Sequence, residues 1–181
     1  MREMSNVALQ HRLARREDLP ALTELMDAAI DGLQKPYLSD AQIAASRKIM
    51  GLDTQLVVDG TYFIVEQEGA LAGCGGWSRR ATLYGGDRSP GRDAALLDPA
   101  KDAARVRAMY THPAFVRRGV GRLILSLCEE AARAEGFKRA ELVATMAGEP
   151  LYRACGYQPI ERFADDRGGM AVPLLRMSKR L

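Results

Sequence analysis

The sequence is poor in the residues that build metal centres and disulfide frameworks. It has three cysteines, Cys74, Cys128 and Cys155, and two histidines, His11 and His112. No two cysteines have a Cys-x-x-Cys spacing, and ligands this few and scattered do not make a zinc site. We therefore expect no metal. The odd number of widely spaced cysteines favours free thiols in a reducing cytoplasm.

Long hydrophobic runs are also missing. No stretch approaches the roughly 18 consecutive apolar residues that a membrane span requires. The first residues, MREMSNVALQHRLARRED, lack the apolar core of a signal peptide. These absences favour a cytoplasmic protein without a membrane partner.

Charge of one sign does not dominate the chain, which has 26 Lys and Arg against 23 Asp and Glu. The net charge of +3 is too weak to indicate nucleic acid, and few aromatic residues lie among the arginines. Positive charge is instead local. Between residues 101 and 122, Asp102 alone opposes the side chains of Lys101, Arg105, Arg107, Arg117, Arg118 and Arg122. This concentration suits a small polyanionic ligand better than a duplex, so we expect no nucleic-acid partner.

The length of 181 residues and the 47% apolar content suit a single domain over residues 1–181. Period-2 patterns predict strands near 7–14, 61–66, 71–78, 103–112, 138–146, 157–163 and 170–181. Helical spacing predicts helices near 19–33, 40–50, 119–136 and 149–156. This order predicts an α/β (α+β) fold with about seven strands in one mixed sheet and about four helices. Residues 79–101 are predicted to be a long loop, of the kind that is functional or mobile.

The stretch RVRAMYTHPAFVRRGVGRLILSL, residues 105–127, places flexible backbone and positive charge at the start of a helix. The first N–H groups of a helix have no internal partner, and they carry the positive end of its dipole. Gly119 and Gly121 allow a close approach of the backbone, and Arg117, Arg118 and Arg122 add charged donors. The pattern predicts a pyrophosphate site, although a tight turn with solvated arginines is the alternative. Neither GxxxxGK[ST] nor GxGxxG is present.

Within this stretch, MYTHPAFVRRGVGRLIL resembles the acyl-CoA pyrophosphate loop of the GNAT superfamily of N-acyltransferases, Gln/Arg-x-x-Gly-x-Gly/Ala. Downstream, EPLYRACGY resembles the superfamily's second motif, an aromatic-Tyr-x-x-x-Gly-aromatic helix end. The predicted element order is also similar, from about residue 7 to 181. The resemblance implies a mixed, mostly antiparallel central sheet.

The resemblance also implies site residues. Acetyl-CoA would be the co-substrate, with its pantetheine arm and thioester on the strand residues Met109, Tyr110 and Thr111. Its pyrophosphate would lie on Arg117, Arg118, Gly119, Val120, Gly121 and Arg122. Tyr152 would be catalytic, beside the thioester sulfur. The chain departs from the signature at Val116, which replaces Gln or Arg, so the backbone and neighbouring arginines would have to bind the phosphate there.

The implied activity is acetyl transfer from acetyl-CoA to a primary amine of a small molecule or protein. Direct attack in a ternary complex is favoured, because no cysteine has a neighbouring His-and-carboxylate pattern. The base that takes the amine proton stays open between Asp102, Glu66 and a water relay. The alternative is a non-catalytic acyl-CoA-binding module. The resemblance further implies a homodimer.

The acceptor is expected on the opposite side of the sheet from coenzyme A. We expect Tyr37, between the first two helices, and Trp77, at the end of a glycine-rich strand, to contact it. Core packing is the alternative for both side chains. The 79–101 loop is expected to border this pocket.

Overall fold

The computed structural model describes residues 7–181, which form a seven-stranded sheet and five α-helices. The strands are β1 Gln10–Leu13, β2 Tyr62–Gln67, β3 Ala70–Ser78, β4 Ala104–Thr111, β5 Arg139–Thr145, β6 Gln158–Asp165 and β7 Val172–Arg180. The helices are α1 Leu19–Leu33, α2 Asp40–Arg47, α3 Thr54–Val58, α4 Val120–Ala134 and α5 Glu149–Ala154. The predicted domain over 1–181 includes residues 1–6, which lie outside the described residues. None of the helices described is long and hydrophobic enough to cross a membrane.

The predicted fold class is confirmed. The strand order is β1-β2-β3-β4-β5-β7-β6, and every neighbouring pair is antiparallel except β4 and β5. The helix prediction is incomplete, because α3 lies in a segment that was not assigned as a helix. It has five residues, and the Asp53 side chain caps it by accepting a hydrogen bond from the Gln55 N–H at 3.2 Å. The predicted second helix also ends earlier, at Arg47.

Helices cover both faces of the sheet. On one face, Ile64 of β2 and Cys74 of β3 join a core with α1, α2 and α3. On the other face, Val65 and Ala72 pack against α4. The alternation of neighbouring residues between the two cores follows from the two-residue period of a strand. Helix α4 presents Ile124, Leu125 and Cys128 to its core at helical spacing, as the sequence pattern predicts.

The β2–β3 hairpin turns tightly at Glu68 and Gly69. Both residues have positive φ, 53° and 78°, the combination that a two-residue hairpin loop of type I′ requires. An added Cβ at Gly69 would meet no atom within 4 Å. An alanine at Gly69 would therefore add backbone strain without crowding.

The β4 and β5 strands separate soon after they begin. Their parallel pairing is confined to Ala104 with Ala140 and Arg105 with Glu141. Beyond this point the two strands continue to Thr111 and Thr145 without a ladder between them. The backbone edge of β4 that faces β5 is therefore left open over residues 106–111.

A β-bulge in β4 lies at this opening. Ala108 has φ 51°, and the register with β3 shifts between Cys74 and Gly76. The Tyr62 hydroxyl donates to the Ala108 carbonyl at 2.7 Å and so holds the bulge from the α1 face. Bulges bend a strand and redirect its side chains, which places the following residues at the opening.

Candidate active site

A cleft of about 840 Å³ fills the gap between β4 and β5. Residues from both faces of the sheet line it. We call one end the α4 end, lined by Arg117, Gly119, Gly121 and Arg122. The opposite part, which we call the α1 end, is lined by Gln34, Tyr37, Met50, Tyr84, Gly85 and Arg107. The cleft therefore joins the start of α4 to a pocket under α1 and the 79–101 loop.

The start of α4 offers unoccupied hydrogen-bond donors to this cleft. Its N-cap is Gly119, so no side chain caps the helix, and the first helical bond runs from the Leu123 N–H to the Gly119 carbonyl. Within residues 7–181, the four N–H groups of residues 119–122 have no acceptor. Gly119 has φ 84° and Arg117 has φ 59°, so the backbone curls ahead of the helix. Such a curl with a helix N-terminus makes an anion-binding concavity.

Gly121 also makes room for helix α5. A Cβ on Gly121 would lie 2.6 Å from Leu151 Cδ2, whereas a Cβ on Gly119 would meet no atom within 4 Å. The two glycines therefore differ in role. Gly119 supplies the left-handed turn, and Gly121 lets α5 pack close to α4.

The structure brings together all but one of the predicted coenzyme-binding residues. Met109, Tyr110, Thr111, Arg117, Gly119, Val120, Gly121 and Arg122 line the cleft. Arg118 is the exception, because its side chain donates to Gln67 Oε1 at 3.2 Å and lies over the Phe115 ring at 5.3 Å. Val116, which stands where the motif has Gln or Arg, lines the cleft with an apolar side chain. The cationic side chains at the α4 end are thus Arg117 and Arg122.

The Tyr110 side chain is fixed on the α1 face. Its hydroxyl accepts a hydrogen bond from the Gly51 N–H at 3.0 Å. Burial raises the pKa of this phenol above its ordinary value. Because the hydroxyl is protonated and held by the backbone, Tyr110 positions the strand and does not act as a base.

Tyr152 of α5 lines the same cleft. Its ring packs edge-on against Tyr157, with centroids 6.1 Å apart. Within the described residues its hydroxyl makes no hydrogen bond, and burial raises its pKa above the ordinary value for tyrosine. A neutral phenol with a free O–H can donate a proton or a hydrogen bond into the cleft.

The two residues expected to contact the acceptor have different environments. Tyr37 lines the α1 end and is 47% exposed. Trp77 does not line the cleft, and the expectation that it would wall the pocket is corrected. It is 2% exposed, and it packs edge-on against Phe137 with ring centroids 5.9 Å apart. The β3 register turns its side chain to the α4 face, where the core-packing alternative applies.

Neither carboxylate considered as a base reaches the cleft. Glu66 accepts from Arg12 at 3.4 Å, and Asp102 accepts from the Asp98 N–H at 2.8 Å. Within the part of the chain that the structure describes, no Asp, Glu or His side chain lines the cleft. The cleft's own titratable groups are therefore phenols and guanidinium groups.

None of the three cysteines lines the cleft, and Cys155 lies half-buried at the end of α5. Cys74 and Cys128 are buried outside the cleft, in opposite cores. Burial raises the pKa of Cys74 to about 12 and raises that of Cys128 further. Both thiols are therefore protonated at neutral pH. In residues 7–181, no group of three or more His, Cys, Asp and Glu side chains could hold a metal ion.

A buried ion pair at the α1 end was missed by the sequence interpretation. Arg107 Nη2 lies 2.7 Å from Asp53 Oδ2, and it donates to the Gly85 carbonyl at 2.5 Å. Burial lowers the pKa of Arg107, whereas the charge of Asp53 raises it. Asp53 also accepts from Arg92 Nη2 at 2.9 Å. The available signal was an arginine in a strand whose neighbouring residues, Val106 and Ala108, are apolar.

Comparisons with known proteins agree with this architecture. The model of the Acetyltransferase (GNAT) family matches residues 22–157, more than half of the chain. A comparison with curated protein sequences gave no match.

Several solved structures are similar in fold. A GCN5-related N-acetyltransferase from Rhodopseudomonas palustris has 21% identity and a TM-score of 0.68, covering 100% of this chain and 99% of that one. The PaiA N-acetyltransferase from Thermoplasma acidophilum, in complex with coenzyme A, has 13% identity and a TM-score of 0.64, with coverage of 96% and 99%. The protein yncA from Salmonella typhimurium, with its cofactor acetyl-CoA, has 19% identity and a TM-score of 0.63, with coverage of 96% and 94%.

Proposed function

The chain belongs to the acetyltransferase (GNAT) family and is an acyltransferase, and we propose that it transfers an acetyl group from acetyl-CoA to a primary amine. One observation carries this proposal: the free N–H groups of residues 119–122 open onto the same cleft as the unpaired edge of β4 and Tyr152. An anion site, a strand edge and a proton donor in one cleft are what thioester binding and cleavage require. The acceptor is a small molecule or a protein amine.

The α4 end is suited to the diphosphate of acetyl-CoA. The N–H groups of residues 119–122 would bind its oxygens, and Arg117 and Arg122 would add charge. Two structural neighbours contain coenzyme A or acetyl-CoA, which supports this assignment. The thioester supplies the electrophilic carbonyl. The free strand edge between Val106 and Thr111 would hold the pantetheine arm and donate N–H groups to the carbonyl oxygen.

The proton balance follows from the residues that line the cleft. An alkylammonium has a pKa of roughly 10.4, so the nucleophile must lose a proton before attack. Because no carboxylate or imidazole of the described residues lines the cleft, that proton passes to water. Tyr152 would donate its proton to the departing sulfur and regain one from solvent. Protonated, buried Cys74 and Cys128, together with the position of Cys155 outside the cleft lining, support direct attack within a ternary complex and not an acyl-enzyme.

Thiol release from acetyl-CoA across a panel of primary amines tests the function, with coenzyme A binding measured in parallel by calorimetry. The expected result is amine-dependent thiol release with formation of the N-acetyl product. Binding without turnover for every amine would instead identify the acyl-CoA-binding module. Cytoplasmic location and a homodimer stay predictions, and sedimentation would test the latter.

A further inference from the structure

The α1 end contains a buried guanidinium whose donors are only partly used. The Arg107 side chain is 2% exposed, and its Nη2 contacts both Asp53 and the Gly85 carbonyl. Its Nη1 donates to none of the described residues and is not fully buried, whereas Nε is fully buried and also has no acceptor among them. A dry donor without an acceptor is destabilising, because its hydrogen bonds to water are lost without replacement. These unused donors belong to a residue that lines the cleft.

Arg107 belongs to a small group of charged side chains at the α1 end. The Asp53 side chain is fully buried, and its two oxygens lie 2.9 Å from Arg92 Nη2 and 2.7 Å from Arg107 Nη2. Asp87 borders Arg107 but is exposed, and its carboxylate accepts from the Thr54 N–H and hydroxyl. The two carboxylates and two guanidinium groups balance in number, but only Asp53 and Arg107 are buried, and of the four only Arg107 lines the cleft.

The rest of the lining gives no opposing charge. The charged side chains along the whole cleft are Arg107, Arg117 and Arg122, and no carboxylate of the described residues joins them. Gln34, which is 4% exposed, also lines the α1 end, and its Oε1 has no partner in the described part of the chain. A polyamine would therefore find no negative charge in the cleft, whereas a substrate with an anionic group would find the positive charge of Arg107 at the α1 end.

The pocket around Arg107 is held in place from several sides. The Ile49 carbonyl accepts from the Gly86 N–H at 3.1 Å and from the Ser89 hydroxyl at 2.6 Å. The Tyr84 hydroxyl donates to Asp165 Oδ2 at 2.8 Å, which ties the 79–101 loop to the end of β6. These bonds fix the residues on both sides of Gly85, whose carbonyl accepts from Arg107, so the guanidinium is held in one position. Preorganised donors bind a ligand at a lower entropic cost.

Building on the proposed function, we propose that the acceptor carries a carboxylate as well as its primary amine, and that Arg107 binds this carboxylate. Because Nη2 is used by Asp53 and Gly85, Nη1 would donate to a carboxylate oxygen, and hydrogen bonds between charged groups are roughly twice as strong as neutral ones. The substrate class is therefore amino acids and other amines with a carboxylate on the same molecule. The competing explanation is that Arg107 only anchors the loop through Gly85.

Matched acceptor pairs separate these explanations. Amino acids of increasing amine-to-carboxylate spacing are each compared with their primary amides, with a diamine as the cationic reference. Rates are normalised to the neutral-amine fraction, because the amide lowers the amine pKa. For the spacing that fits the cleft, we expect kcat/KM to favour the acid over its amide by roughly 10- to 100-fold.

Variants then assign the preference to one side chain. Arg107→Gln should reduce the acid-to-amide ratio to about 1 while coenzyme A affinity is retained, and Arg107→Lys should leave an intermediate ratio because it keeps the charge but not the position of the Nη1 donor. Arg105→Gln is the control. Arg105 is also a partly buried β4 arginine, paired with Glu141 at 2.8 Å, but it does not line the cleft. Its ratio should match that of the wild type.

The wild-type protein provides a measurement that needs no variant. N-acetylated acids should raise the melting temperature more than the corresponding N-acetylated amides, and should compete with the acceptor. Equal ratios for acids and amides, with turnover intact, would overturn the Arg107 proposal and leave the acetyltransferase function standing. Absence of turnover with every amine would instead overturn the proposed function. The product-binding comparison, repeated with Arg107→Gln, would then still decide whether Arg107 binds carboxylates.

Discussion

Replacement of Gly119 by alanine tests the anion site through one added methyl group. Gly119 has φ 84°, and its added Cβ would meet no protein atom within 4 Å. The cost to stability is therefore backbone strain alone, about 1–2 kcal/mol for a side chain in the left-handed region. For a domain of this size, that corresponds to a melting temperature lower by roughly 2–8 °C.

Gly69→Ala is the matched control, since Gly69 has φ 78° and equally open surroundings in the β2–β3 hairpin. Both variants should lose similar stability in thermal unfolding. Calorimetry should show weaker coenzyme A binding for Gly119→Ala alone, by at least about 10-fold, because the open space beside Gly119 is where the diphosphate would lie. Equal coenzyme A affinity for the two variants would refute the reasoning.

Three further predictions concern charge, catalysis and acid stability. Arg122→Ala should weaken coenzyme A binding by roughly 10-fold in calorimetry, whereas Arg118→Ala should change it less than about two-fold, since its side chain lies outside the cleft. Tyr152→Phe should lower kcat roughly 10- to 100-fold with coenzyme A affinity unchanged, and Tyr157→Phe should retain turnover; equal rates would remove the phenol from the mechanism. The hydrogen bonds that Arg167 donates to Asp165 lower the pKa of the Asp165 carboxyl to about 2. The ionised Asp165 carboxylate should therefore stabilise the fold by on the order of 1 kcal/mol above about pH 4, and this stabilisation should be lost as the pH falls towards 2. Asp165→Asn should flatten that acid limb in denaturant titrations.

The parts of the fold with long, regular patterns could be predicted from the sequence. Helix α4 has an apolar stripe, and the β2–β3 hairpin has alternating strands around a Glu-Gly turn. Helix α3 could not be predicted, because five residues do not complete two helical turns and no period is visible. The bulge at Ala108 depends on tertiary contacts, such as the Tyr62 hydroxyl on its carbonyl.

The site was predictable where it is local and unpredictable where it depends on tertiary contacts. The curled backbone at Gly119 follows from the glycine spacing and the helix start. The positions of Trp77 and Arg118 depend on which face a strand residue presents and on a distant partner, Gln67. Arg107 and Asp53 are 54 residues apart by numbering, so sequence proximity gave no indication of their pairing.

The central claim is that the N–H groups of residues 119–122 bind the coenzyme A diphosphate. Backbone amide NMR during a titration with coenzyme A measures these groups directly. The account predicts that the four amide signals move together, and more than those of the Gly69 turn, as the ligand saturates. Saturable binding that leaves the signals of residues 119–122 unmoved would contradict it.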